Sequence, residues 1–126
     1  MTTTAQAIDG RIFHVEVRSP DSTATSRFFE AAFAWPMVSP GGAYFAFDTP
    51  GDFEGHIAPR DAEDGADANA IAYIEVDDLD ATLERLRTLG AELLTEAQEA
   101  PIGRYAYFRE PGGSTWVAWQ HAAADA

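Results

Sequence analysis

No cysteine occurs anywhere in these 126 residues. That excludes a disulfide framework, thiolate metal ligands and a thiol nucleophile. Lysine is absent as well, so all eight basic residues are arginine; they stand against 21 carboxylates, for a formal net charge of −13. Nucleic-acid-binding surfaces gain affinity by releasing counterions to clustered positive charge, and this field has the opposite sign. Nucleic acid is therefore not the expected partner, and neutral or cationic ligands are favoured. A lysine-free, alanine-rich, acidic composition is equally a proteome-wide habit of GC-rich or salt-adapted organisms. No apolar run approaches the roughly 18–20 residues of a membrane span, and the opening MTTTAQAIDG has neither a basic n-region nor an apolar stretch. The expectation is a cytoplasmic protein with no membrane partner. A Gly-x-Ser-x-Gly elbow is missing, and Gly41-Gly42 and Gly112-Gly113 lack the lysine and spacing of a phosphate loop, so both read as turns.

What the chain has is core material and a repeat. With 46% hydrophobic residues, three Trp, four Tyr and eight Phe, it has enough apolar surface for one ordinary domain. Arg11 to Arg18 alternates Phe13, Val15, Val17 with His14, Glu16, Arg18, the period of a strand with one wet face. Asp21 or Ser22 then caps a helix carrying Phe28, Phe29, Ala32 and Phe33, which Trp35-Pro36 stops. Three extended pieces follow: Pro36 to Pro40, Ala43 to Asp48 and Phe53 to Ala58. After an acidic stretch the order recurs. Ile71 to Val76 alternates, Asp78 opens a helix with a Leu79, Leu83, Leu86 stripe ending at Gly90, and Ala91 to Ala100, Arg104 to Arg109 and Ser114 to Gln120 read as three strands.

The predicted fold class is α+β, with two tandem βαβββ modules forming curved mixed sheets around a cleft. One helix covers only one face of a sheet, and the other face needs a partner. The predicted organisation is a flexible N-terminus at residues 1–10, a first module at 11–58, an acidic linker at 59–69, a second module at 70–121 and a flexible tail at 122–126. Aligning Asp21 with Asp78 pairs His14 with Ile71 and Glu16 with Tyr73. Aligning Phe47-Asp48-Thr49-Pro50-Gly51 with Phe108-Arg109-Glu110-Pro111-Gly112 pairs His56 with Val117, so the second half has gained four residues in between.

This doubled unit resembles the vicinal-oxygen-chelate superfamily, which includes glyoxalase I, extradiol dioxygenases, fosfomycin-resistance enzymes and bleomycin-binding proteins. The resemblance spans Ile12 to Gln120. It is carried by the His14 strand followed by Asp21, by Phe28-Phe29, by Phe33-Ala34-Trp35 where the family often has Phe-Gly-Trp, by Tyr73-Ile74-Glu75-Val76-Asp77-Asp78, and by Phe108-Arg109-Glu110-Pro111-Gly112-Gly113. In metal-dependent members the first and last strands of each module supply one ligand apiece. The resemblance places those ligands at His14, His56, Ile71 and Val117, of which only the histidines can bind a metal. A catalytic site ordinarily takes three protein ligands, so no cofactor is expected. The alternative is a divalent ion (Ni, Mn, Fe or Zn) on His14 and His56, completed by Glu16, Glu54, Glu75 or His121.

Ile71 and Val117 are expected to line the cleft with hydrocarbon, and Tyr73, Tyr105, Tyr107 and Trp119 share their phase and offer flat faces. The expected ligand-binding set is therefore His14, Glu16, His56, Ile71, Tyr73, Tyr105, Tyr107, Val117 and Trp119, with His14, Glu16 and His56 as the candidate catalytic groups. For Tyr73 and Trp119, packing in the core is an equal alternative. Phe45 and Phe47 have ambiguous phase, and Trp116, Phe108, Phe28, Phe29 and Phe33 read as packing between sheet and helix. The cleft residues and the charge point to a small-molecule-binding protein for a hydrophobic or aromatic ligand, cationic or neutral, with a degenerate metal site; the resemblance implies a homodimer in a drug-resistance or secondary-metabolism setting. The alternative function is a divalent-metal lyase, isomerase or dioxygenase; anionic glutathione-type substrates are disfavoured by the charge.

Overall fold

Both helices begin in the same way. The carboxylates of Asp21 and Asp78 each accept a hydrogen bond from the backbone N–H three residues on, Ala24 at 3.0 Å and Ala81 at 3.1 Å, which satisfies one of the orphan donors of the first turn. A computed structural model of the chain describes residues 9–51, 53–60 and 69–123. Most of the expected N-terminal segment, acidic linker and C-terminal tail lies outside them. The elements are β1 (Arg11–Ser19), α1 (Ser22–Phe33), β2 (Met37–Gly41), β3 (Tyr44–Thr49), β4 (Phe53–Pro59), β5 (Ala70–Glu75), α2 (Leu79–Thr88), β6 (Glu92–Leu93), β7 (Gln98–Ala100), β8 (Gly103–Arg109) and β9 (Thr115–His121). The fold is α+β. No helix among the described residues is long and apolar enough to cross a membrane.

The chain divides into two compact units, residues 13–60 with 69–72, and residues 9–12 with 73–123. In the first, the strand order is β2-β3-β4-β1, with β1 parallel to β4 and the other neighbours antiparallel. Helix α1 packs on β3 and β4, over the buried Phe47 and Ile57. In the second, the order is β5-β9-β8-β6, with β7 also on β8 and β5 parallel to β9. Its core joins Val76, Leu79 and Leu83 to Ala106, Phe108 and Ala118.

The repeat holds in the pairing itself. Glu16 lies opposite His56 and Ala46 opposite His56; at the equivalent positions Tyr73 lies opposite Val117 and Tyr107 opposite Val117. The expected strand over Ala91 to Ala100 is instead broken into β6 and β7. At the break Leu94 to Ala97 lie opposite only Ala106 and Tyr107, pinned by Leu94 N–H to the Tyr107 carbonyl at 2.8 Å and Tyr107 N–H to Thr95 Oγ1 at 3.0 Å; the four-residue gain seen in the sequence falls just beyond it, where Gln98 pairs with Tyr105 across a longer connection than joins Gly41 to Tyr44.

Two packing expectations are corrected. The polar face of β1 is not wet: Glu16 and Arg18 are 3% and 2% exposed, while Val15 and Val17 are only half-buried. Nor do the phenylalanines of α1 all pack inward. The buried helix positions are Ser22 and Ser26, and Phe28 lies about 200° around the axis from Ser26, so helical geometry turns it out to 60% exposure. Phe33, in the last turn, is also exposed and stacks on Phe29 and Trp35.

Ala34 closes α1 in the left-handed region, at φ 60° and ψ 31°, with its N–H on the Glu30 carbonyl. A Cβ is unfavourable there by roughly 1–2 kcal/mol, part of which glycine returns through its larger unfolded-state entropy. Ala34→Gly is expected to stabilise the protein by about 0.5–1 kcal/mol, read as a rise of about 2–4 °C in a thermal melt. An unchanged or lowered midpoint would show that Ala34 carries no strain in its left-handed conformation.

Candidate functional site

Parallel pairing of β1 with β4 brings the two sequence-predicted histidines to one face. His14 lies opposite Glu54 and Glu16 opposite His56. Nε2 of His14 and Nδ1 of His56 are 2.8 Å apart, so one ring donates to the other. Burial is the main cause that lowers the pKa of both. His14 falls to about 4, with His56 lowering it further and Glu16 opposing. At His56, Glu16 raises the pKa and Arg18 lowers it. The pair is thus neutral at pH 7, which is consistent with a direct ring-to-ring hydrogen bond. Beside them Glu16 accepts from Arg18 Nε at 2.8 Å, both side chains being nearly inaccessible, and its other oxygen stands 4.0 Å from Nε2 of His56.

The histidines border a cavity of about 200 Å³, with Val38, Phe47, Asp48 and Glu54 among its other walls. Ala46, not Phe45 or Phe47, shares the face of His56. That resolves the phase of β3: Phe47 belongs to the helix side, where it stacks on Trp35 at 5.1 Å and 8°, and it also borders the cavity. Because the imidazoles carry no charge, the local sign is set by Asp48 and Glu54. Glu54 was accessible to period-two counting from His56; Asp48 had no signal in the sequence. A larger cavity of about 480 Å³ lies between α2 and residues 93–97, and includes none of the expected site residues.

In the second unit, α2 covers one sheet face and leaves the other to Tyr73, Glu75, Tyr105, Tyr107, Val117, Trp119 and His121, as the alternation of β5, β8 and β9 requires. Tyr105 and Trp119 are near-parallel at 5.8 Å and 16°; Tyr73 and Tyr107 lie beside Trp119 and Tyr105 at centroid distances of 6.1 Å and 6.0 Å. Val117 is fully inaccessible, Tyr73, Tyr107 and Trp119 are buried, and Tyr105 is half-buried. Ile71, in the first unit, is fully inaccessible. Sequence reasoning missed one connection. Glu75 is buried, receives Arg11 at 2.9 Å and lies 2.7 Å from Nε2 of His121, whose Nδ1 accepts from Trp119 Nε1.

The residues do not match a three-ligand metal site. The nitrogens of His14 and His56 converge, but the carboxylate of Glu16 faces the far nitrogen of His56 and is bonded to Arg18. The two remaining inherited positions hold Ile71 and Val117, which have no donor atom. Among the described residues no group of three or more His, Cys, Asp or Glu is placed to hold an ion.

The family model described as the Glyoxalase/Bleomycin resistance protein/Dioxygenase superfamily matches residues 11–118. An anthracycline biosynthesis protein of Streptomyces peucetius, DnrV, is 28% identical over 123 residues, covering 83% of this chain and 45% of its own length. The chain thus spans less than half of that relative. A glyoxylase-like domain-containing protein of Didymella fabae is 25% identical over 119 residues, covering 86% of this chain and 91% of that one. Among solved structures, methylmalonyl-CoA epimerase from Mycobacterium tuberculosis matches with a TM-score of 0.67 and 20% identity, over 97% of this chain and 93% of that one, a likeness of fold.

Proposed function

This chain belongs to the glyoxalase/bleomycin resistance/dioxygenase superfamily, and from that premise we propose that it is a small-molecule-binding protein whose metal site has degenerated, taking a flat, hydrophobic or aromatic compound that carries positive charge. The observation that carries this reading is the register. The positions equivalent to His14 and His56 are Ile71 and Val117, both fully buried hydrocarbon. Beside those positions the second module carries rings, with Tyr73 at the place of Glu16 and Tyr107 at that of Ala46. Neutral histidines beside Asp48 and Glu54 favour a cation over an anion, in keeping with the net charge of −13. A cavity of about 200 Å³ is below the usual size of a drug pocket and suits one ring or one charged substituent of a larger ligand. The relative named for anthracycline biosynthesis supports a role in handling polycyclic secondary metabolites. A homodimer and a cytoplasmic location belong to the same reading.

Convergence of the His14 and His56 nitrogens favours a second reading, a divalent-metal lyase, isomerase or dioxygenase. Two nitrogens bound tetrahedrally to one ion at about 2.0–2.1 Å would stand roughly 3.3–3.4 Å apart, so the rings, 2.8 Å apart here, would have to part by about half an ångström. One pair of measurements separates the readings. Under the first, protein purified without chelator carries no stoichiometric Ni, Mn, Fe or Zn, the cationic planar dye acridine orange binds in preference to the anionic anilinonaphthalene sulfonate, and Trp119→Ala weakens dye binding by about 1 kcal/mol or more. Stoichiometric metal that disappears in the His14→Ala/His56→Ala variant establishes the second reading in its place.

A further inference from the structure

Trp119 is held on three sides. Its Nε1–H donates to Nδ1 of His121 at 2.9 Å, its ring stacks on Tyr105, and its Cζ2 lies where a Cβ on Gly103 would come within 2.7 Å. An indole nitrogen can only donate, so Nδ1 of His121 presents a lone pair and the ring proton sits on Nε2. There it meets the carboxylate of Glu75 at 2.7 Å. Glu75 is 2% exposed and its other oxygen is engaged by Arg11 at 2.9 Å. A carboxylate that takes Nε2–H fixes the imidazole tautomer. Arg11, Glu75, His121 and Trp119 therefore form one directional chain of hydrogen bonds, within one unit of the fold.

We propose that His121 is a positioning residue that sets the selectivity of the aromatic face. By occupying the indole N–H it locks the tilt of the buried Trp119 behind the half-buried Tyr105, so that the face offers the π surface of a backed ring instead of a hydrogen-bond donor. The ligand class this selects is a flat, electron-poor or cationic ring system with no acceptor directed at Trp119. A compound whose recognition needs an indole N–H is discriminated against, because binding would first have to break the His121 bond. The inference rests on the proposed reading of this face as a ligand wall and adds the group that tunes it.

The test uses the full chain with ¹⁵N-labelled tryptophan, whose three indole resonances are assigned by Trp119→Phe, together with acridine orange as the probe. His121→Phe keeps a ring and removes the acceptor; His121→Asn places an amide oxygen where Nδ1 stood. His121 is 41% exposed, so both variants are expected to fold. In His121→Phe the Trp119 indole proton moves upfield and acridine orange binds about fivefold more weakly, the equivalent of one lost hydrogen bond. His121→Asn restores both. An indole resonance that stays in place in His121→Phe overturns the positioning role, and a shifted resonance with unchanged dye affinity overturns the selectivity role. Failure of the dye to bind the parent protein counts against the ligand wall itself, while the indole shift still decides whether His121 positions Trp119.

Discussion

Arg18→Met is expected to unfold about 10–15 °C below the parent protein. Both side chains of the Glu16–Arg18 pair are almost completely inaccessible, at 4% and 0%, and their contact is 2.8 Å. Taking a carboxylate out of water is costly, and here the nearby guanidinium offsets that cost. Removing the arginine while keeping its bulk leaves Glu16 buried without that partner, which destabilises by about 3–5 kcal/mol. At the entropy of unfolding of a domain this size, that loss corresponds to the stated fall in midpoint. Removing both charges is a different experiment. In Glu16→Leu/Arg18→Met the desolvation penalty goes with the charges, and most of the stability is expected to return. Arg18 also helps to keep the pKa of His56 low, so the single variant should raise that pKa, a change visible in the imidazole proton resonances. A single variant that melts like the parent protein would show that the pair is solvated and that the polar face of β1 is open to water.

The second large effect is expected at Gly55, in the middle of β4. A Cβ there would lie 2.5 Å from the Val15 carbonyl oxygen, 2.6 Å from the Phe47 ring and 2.8 Å from Cγ1 of Val15. The carbonyl belongs to β1, which pairs with β4 on one side while β3 pairs on the other, so the backbone has no free direction in which to move. Gly55→Ala is therefore expected to cost about 3 kcal/mol or more, at the upper end of overpacking effects. The Phe47 ring must also shift, and it stacks on Trp35 and borders the cavity beside His14 and His56. A lowered midpoint in denaturant should accompany altered Trp35 fluorescence and weaker acridine orange binding. A variant as stable as the parent, with its tryptophan emission unchanged, would mean that β1 and β4 lie further apart than the pairing requires.

The two predictions share a lesson. Glu16 and Arg18 were legible as neighbours on one strand face, because period two is a property of the backbone alone. Which face of β1 would be covered was not legible. Local pattern labelled the polar side wet, whereas the pairing that sets its environment comes from Phe53–Pro59 and other segments far along the chain. The exposed Phe28 has the same origin: the apolar residues of α1 were visible, but the phase in which the helix meets the sheet was decided by Ser22 and Ser26.

By itself the sequence determined the duplication, the broad order of strands and helices, the Asp78 cap with Asp21 or Ser22 at the other helix, and the positions at which two histidines of one half correspond to Ile71 and Val117. These are local or periodic properties, and a chain carries them wherever it goes. Tertiary structure alone decided that His14 and His56 touch, that β6 and β7 part around Leu94 to Ala97, that Asp48 joins the histidine cavity, and that Arg11, Glu75, His121 and Trp119 align into one chain of hydrogen bonds. Contacts of this kind join residues more than forty positions apart, as with His14 and His56 or Glu75 and His121. Their formation depends on which strands lie side by side and in what register, and no window of neighbouring residues contains that information.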